Sequence, residues 1–381
     1  MSTIEDRIAR IISEYDVQGW HRTGTDVDLE SAHWLAELVR ESGAEPSLEM
    51  FTLDRVIPEP SYIEAGDRRI EGLPLFDGAF TSANGVRGRL GAESRNPEIL
   101  LIDGSNAGSV EALEDARRSE TYLALVFVTT STGGRPGLAP RNAPSFTEPL
   151  GAPVLQVDPT ERARLKEQAD AGTIATLVAH ARREPADAAN VAALIPGRDR
   201  ALPPLVVMTP RSGWWNIAAE RGGGIVCWLE AVRAIGAAQP ARDVRFVATS
   251  GHELGHLGLE AYLDDNPGLA TEALAWIHFG ASIGAAVKPA PRMAASDDEM
   301  HRLAVEFLTP EMRSLPESIP RDTVPGGESR NIHLRGGRYV SLACGHATFH
   351  QQSDRWPDSV DVASVASYAK AMTGLALKLA G

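Results

Sequence analysis

The second half of the chain alternates strand-like and helix-like segments, and this alternation constrains the fold more than any other feature of the sequence. NVAALIPG (190–197), PLVVMTP (204–210), DVRFVATS (243–250), the end of TEALAWIHFGAS (271–282) and RYVSLACG (338–345) read as strands. Residues 217–236, 252–264, 297–308 and 360–380 carry helical spacing between and after them. Short buried strands alternating with helices predict an α/β fold, with a largely parallel sheet between two helical layers. Two amphipathic helices at 3–16 and 28–43, with a strand at 47–53, precede a change of texture. From 57 to 188 short apolar runs (EILLID, YLALVFVTT, PVLQVD, TIATLVAH) alternate with Gly, Pro, Ser and Asn stretches. That segment reads as a β-rich domain with helices at 108–118 and 159–171, inserted between 1–56 and 189–381.

Composition removes several function classes. The 381 residues, 43% hydrophobic and 23% charged, suffice for a large core without covalent staples. A formal net charge of -14 argues against nucleic acid and anionic lipid as partners. No run of about 18 apolar residues exists, and MSTIEDRIARIISEY lacks a signal-peptide pattern. The two cysteines, Cys227 and Cys344, form no disulfide framework. The expectation is a cytoplasmic protein acting on a small molecule, with a homo-oligomer left open.

Open α/β sheets bind ligands at the carboxyl ends of their strands. Those ends carry Thr209 and Arg211, then Gly251, His252, Glu253 and His256, then His278 and Gly280, then Cys344, Gly345, His346 and His350. Five of the ten histidines therefore fall on one face of the expected sheet. HELGH at 252–256 matches the HExxH zinc pattern, yet it opens a helix directly after a strand and has no familiar third ligand. A zincin is a poor reading. A Cys344 nucleophile is a minor alternative, since free cysteines are mostly inert core residues.

The whole chain resembles family twenty-eight of the metallopeptidases, the aminopeptidase and glutamate-carboxypeptidase-like enzymes, with a protease-associated domain at 57–188. FVATSGHELGHLG carries the strongest local match, supported by the Gly-rich helix start ERGGG and by FHQQSDRWPDSVD. The resemblance implies a zinc-exopeptidase-like α/β/α sandwich and two zinc ions on five residues. Carried over by position, the ligand set is largely substituted. The first histidine and following aspartate fall on Thr209 and Arg211, and the bridging aspartate on Glu220. The general base falls on His252 and a zinc ligand on Glu253. A further aspartate falls on Gly280, and the last histidine on His350. A Ser-Asp-His element falls on Glu328, Ser329 and Arg330.

Electrostatics then disfavours the zinc pair. Arg211, Arg221 and Arg330 would bring fixed cations to a cation site, and like unit charges about 4 Å apart cost roughly 4 kcal/mol at an effective dielectric of 20. At most one divalent, zinc-like metal is expected, on Glu253 and His350 completed by His252, His256 or Glu220. The leading expectation is a divergent hydrolase of an amide or related C–N bond in a small, anionic, carboxylate-bearing substrate. His252 is the base, Glu253 and His350 are its partners, and Arg211 is the carboxylate anchor. Arg330, Arg221, Trp214, His346 and His278 line the pocket. The alternatives are a metal-free lyase or isomerase using the same groups, and a catalytically dead binding homologue. The plainer reading of the three arginines is that they pair with Glu220, Glu328 or other acids.

Overall fold

A computed structural model describes residues 3–130 and 136–381. Its main sheet has eight strands, and the four at its centre are parallel: Val244–Thr249, Leu205–Pro210, Ala275–Phe279 and Tyr339–Gly345 in spatial order. All but the last are buried along almost their whole length, which is why their sequences are continuous apolar runs rather than alternating ones. The sheet is more mixed than the sequence suggested. Ala181–Ile195 joins one flank antiparallel to Val244–Thr249, and Ala290–Ala295 joins the other antiparallel to Tyr339–Gly345. Ala290–Ala295 escapes sequence reading because APRMAA contains a proline and only its last three residues are buried.

Helices cover both faces. Ala218–Ala238 is buried over most of its length and packs against the closing helix Val362–Ala380 and the N-terminal helix Ile4–Val17. Three glycines open it for a steric reason. A Cβ on Gly223 would lie 1.8 Å from the Ile283 carbonyl, and one on Gly224 would lie 2.8 Å from Thr209 Oγ1. The helix therefore starts pressed against the strand ends, and this close approach places Glu220 and Arg221 in the site.

Pro46–Pro58 pairs with Ala181–Ile195 over thirteen successive residue pairs, from Pro46 with Ala193 to Pro58 with Ala181. The expected boundaries at 57 and 188 cut through this ribbon. Seven strands between Tyr62 and Val178 close a barrel at its far end, with Ser109–Arg118 and Arg162–Ala171 packed on it. Residues 136–146, in the barrel's connection from Ala124–Val128 to Val154–Val157, return to the main sheet and touch the site. Among the described residues, no helix is long and apolar enough to cross a membrane.

Candidate active site

The parallel strand ends bring His252, His278 and His350 together with Glu220, Arg221 and Glu328, and every one of these is buried. His252 follows Val244–Thr249 through Ser250 and the left-handed Gly251. Its segment is not the helix expected from 252 onward. His252–Leu254 is a single 3₁₀ turn, Gly255 and His256 are left-handed, and the α-helix runs only over Leu257–Asp265. The HExxH geometry of two histidines on one helical face is therefore absent, although the His252 and His256 rings lie 4.8 Å apart.

Hydrogen bonding fixes which imidazole nitrogen faces the cluster. His350 Nδ1 lies 2.7 Å from the Pro140 carbonyl, which can only accept, so Nδ1 carries the proton and Nε2 is left basic. That Nε2 lies 3.6 Å from Glu220 Oε1. His256 Nδ1 is 2.7 Å from Asn331 Oδ1, while the Asn331 amide donates to Glu260. His278 Nδ1 contacts Ser341 Oγ at 2.8 Å, and the two residues are direct partners across adjacent strands. Burial and the Arg221 charge hold His252 well below the usual histidine range. Burial brings His278 down to about 4 and lowers His350 as well. The three are neutral bases at neutral pH.

Arg221 occupies the centre of this chemistry. Its Nε donates to the Ser212 carbonyl at 2.8 Å, and Nη2 is 2.8 Å from Glu220 Oε1. Neither Nη group completes a hydrogen bond, and neither do Glu220 Oε1, His252 Nδ1, His278 Nε2 or Glu328 Oε2. Nη2 and Oε1 face each other as an ion pair, which leaves four without a partner: Arg221 Nη1, His252 Nδ1, His278 Nε2 and Glu328 Oε2. A buried polar atom left unpaired costs about 1–3 kcal/mol, so four in one cluster mark a place built for another molecule's polar groups. Glu328 Oε1 accepts from Thr249 Oγ1 at 2.6 Å and stands 3.6 Å from His252 Nδ1. The sequence offered Glu328 as part of the Ser-Asp-His element and as a partner for the arginines, not as a partner of His252. Asp354, buried, accepts from the backbone N–H groups of Ala219 and Glu220 and so holds the helix start in place. It also lies 3.6 Å from His346, whose Nδ1 is on Ser282, so His346 sits behind the cluster.

Several expected roles are corrected. Arg211 is not a carboxylate anchor. It is wholly buried, 2.8 Å from Asp28 Oδ1, and donates to the carbonyls of Asp28 and Ala189. Arg330 is exposed and outside the cluster. Glu253 is turned away. One oxygen accepts from Thr23 N and Oγ1 and the other from Ser212 Oγ, at 2.7–2.9 Å. Trp214 donates to Asn142 and lines a neighbouring cavity instead. Burial pushes the Cys344 thiol up to about 11, unsuited to a nucleophile.

These contacts also test the zinc pair. Thr209 donates to the Phe279 carbonyl. A Cβ at Gly280 would lie 2.9 Å from the Leu342 carbonyl, leaving no room for an aspartate. Glu253 has both oxygens engaged, and Arg221 stands against Glu220. Among the described residues no three His, Cys, Asp or Glu side chains converge as a metal site. The donor set does not fit two zinc ions.

The architecture is a mixed α/β sandwich, a fold also found in aminopeptidases of known structure. Three solved structures share it over nearly their full length. An aminopeptidase from Aneurinibacillus sp. strain AM-1 is 16% identical with a TM-score of 0.73, covering 99% of this chain and 93% of that one. A zinc aminopeptidase from Bacillus subtilis is 15% identical with a TM-score of 0.71, covering 98% and 93%. A peptidase M28 precursor from Shewanella amazonensis is 14% identical with a TM-score of 0.73, covering 99% and 96%. At these identities the likeness is one of fold. No protein-family model and no curated protein sequence matches the chain.

Proposed function

We propose that this protein is a divergent hydrolase of an amide or related C–N bond in a small molecule, working without a zinc pair. The observation that carries the reading is Arg221, a buried guanidinium paired through Nη2 with Glu220 and carrying an unpartnered Nη1 among neutral imidazoles. A guanidinium stays ionised and stabilises a developing oxyanion, which is electrostatic work of the kind a Lewis acid does. His252, neutral at pH 7, takes a proton from water. The water oxygen attacks the carbonyl carbon, and the negative charge that forms on the carbonyl oxygen faces Arg221. The proton passes to the departing nitrogen, so water is consumed and an acid and an amine are released. Glu328 steadies the imidazolium on its far side. The barrel serves this reading as a protease-associated-like insert that shapes the site, and a cytoplasmic location belongs to it too.

The test is turnover of a panel of N-acylated amino acids and small amides, read as amine release, by wild type and His252→Ala. Release that disappears in the variant supports the hydrolase. An alkene or carbonyl product without water uptake would mean a lyase on the same groups. No turnover, with ligand binding unchanged by His252→Ala, would mean a binding homologue.

A further inference from the structure

A cavity of about 670 Å³ has in its wall Glu253, which Ser212 hydrogen-bonds. It is within the size of a small-molecule site and its walls are mainly apolar, including Val27, Ile57, Phe76, Trp214 and Leu254. Three charged side chains reach it: Arg22, Arg55 and Glu253. Two are already engaged. Arg55 donates to the Gly24 carbonyl and to Glu184, and Glu253 is held by Thr23 and Ser212.

Arg22 is different. Its guanidinium lies 5.0 Å from the Trp20 ring and 5.5 Å from the Trp215 ring, which meet edge to face. It makes no hydrogen bond or ion pair among the described residues. The guanidinium is half-buried beside the two indoles, its N–H donors meet no protein acceptor, and the Glu253 carboxylate in the same cavity acts on it only through space. Partial desolvation is costly unless a ligand repays it. A carboxylate supplies the matching two-oxygen fork. The apolar walls exclude a ligand that is polar throughout, and the unpaired cation excludes an amine.

We propose that this cavity binds a small monocarboxylate with a flat apolar body, and that Arg22 grips its carboxylate. The pocket thereby names the substrate class of the neighbouring site: amides in which one half carries a free carboxylate on an aromatic or branched aliphatic body, such as N-acylated apolar amino acids. It rests on the hydrolase reading only in calling that ligand part of the substrate. Ser212 links this cavity to the histidine cluster, since its hydroxyl donates to Glu253 and its carbonyl accepts from Arg221. The carboxylate recognition expected of Arg211 and Arg330 is thus assigned to a residue four positions past Gln18, the C-cap of the first helix, on a segment with no strand or helix signal.

Calorimetry with phenylacetate, phenylacetamide and benzylamine tests the proposal directly. Phenylacetate binds wild type, and the neutral and cationic analogues bind at least tenfold more weakly. Arg22→Gln loses at least tenfold in phenylacetate affinity, and Arg22→Lys recovers part of it. Ile57→Trp keeps the charge but fills the cavity, and it loses binding of all three; unchanged melting temperatures verify that both variants fold. Phenylacetate and phenylacetamide binding equally, phenylacetate failing to bind at millimolar concentration, or affinity indifferent to both variants overturns the pocket. Arg22-dependent binding without turnover of any amide sinks the hydrolase reading and leaves the pocket standing. Turnover indifferent to Arg22→Gln and Ile57→Trp sinks the pocket alone.

Discussion

Arg221 Nη2 stands 2.8 Å from Glu220 Oε1, so a fixed guanidinium charge neutralises the carboxylate that sequence position would assign to bridging two metal ions. Adjacent residues in the first turn of Ala218–Ala238 thus form the pair on which the chemistry depends. Arg221→Gln is expected to lower kcat by about 10²–10³, the range for losing one oxyanion donor. Arg221→Lys restores only part of it, because a point charge cannot reproduce the planar fork. Steady-state kinetics with a melting curve for each variant decides the point. A drop confined to stability would make Arg221 structural.

Arg211 leads to the opposite expectation. Its pairing with Asp28 is wholly buried, and removing one partner of such a pair costs about 3–5 kcal/mol. Arg211→Met should lower the denaturation midpoint strongly while leaving the KM of whatever folded enzyme remains unchanged. A raised KM at normal stability would return Arg211 to the substrate.

Glu253 should behave as a structural acceptor. Glu253→Ala leaves Thr23 and Ser212 with unpaired buried donors, at about 1–3 kcal/mol each. Glu253→Gln keeps one carbonyl acceptor and should lie between wild type and alanine in urea denaturation. If Glu253→Gln retained full stability but lost all turnover, Glu253 would be catalytic.

Much of this site could be read from the sequence. The strand ends were visible as apolar runs stopping just before His252 and His278 and a few residues before His350, and the fold brings these three together. Residues whose roles depend on distant partners could not be read. Arg211 meets Asp28, 183 positions away, and nothing local to TPRSG announces that pairing. Glu253 is drawn aside by Thr23, 230 positions earlier, so its place in a motif said nothing of where its oxygens point. Glu328 enters from a loop without periodicity. The Pro140 carbonyl that sets the His350 tautomer comes from the barrel, outside the domain that carries the histidine.

Acid sensitivity follows from the buried histidines. His278, at about 4, and His21, at about 3, are depressed by burial from the ordinary value of 6.5. Between those values the unfolded chain binds more protons than the folded one, so stability rises with pH across that interval. It is fully present above about pH 6.5 and is lost as pH falls toward 4, at roughly 1.4 kcal/mol per unit of pKa difference for each group. Melting temperature should therefore drop between pH 7 and pH 5 and recover on return. A flat profile would show that these imidazoles are protonated in the folded state.

The most direct test of the central claim, that a guanidinium has taken the place of a zinc pair, is metal content. Protein purified without chelators would be analysed by elemental mass spectrometry, and amide turnover measured before and after chelation. The expected result is no stoichiometric zinc and turnover that the chelator leaves unchanged. Two zinc ions per chain, with turnover lost on chelation and restored by zinc, would contradict it.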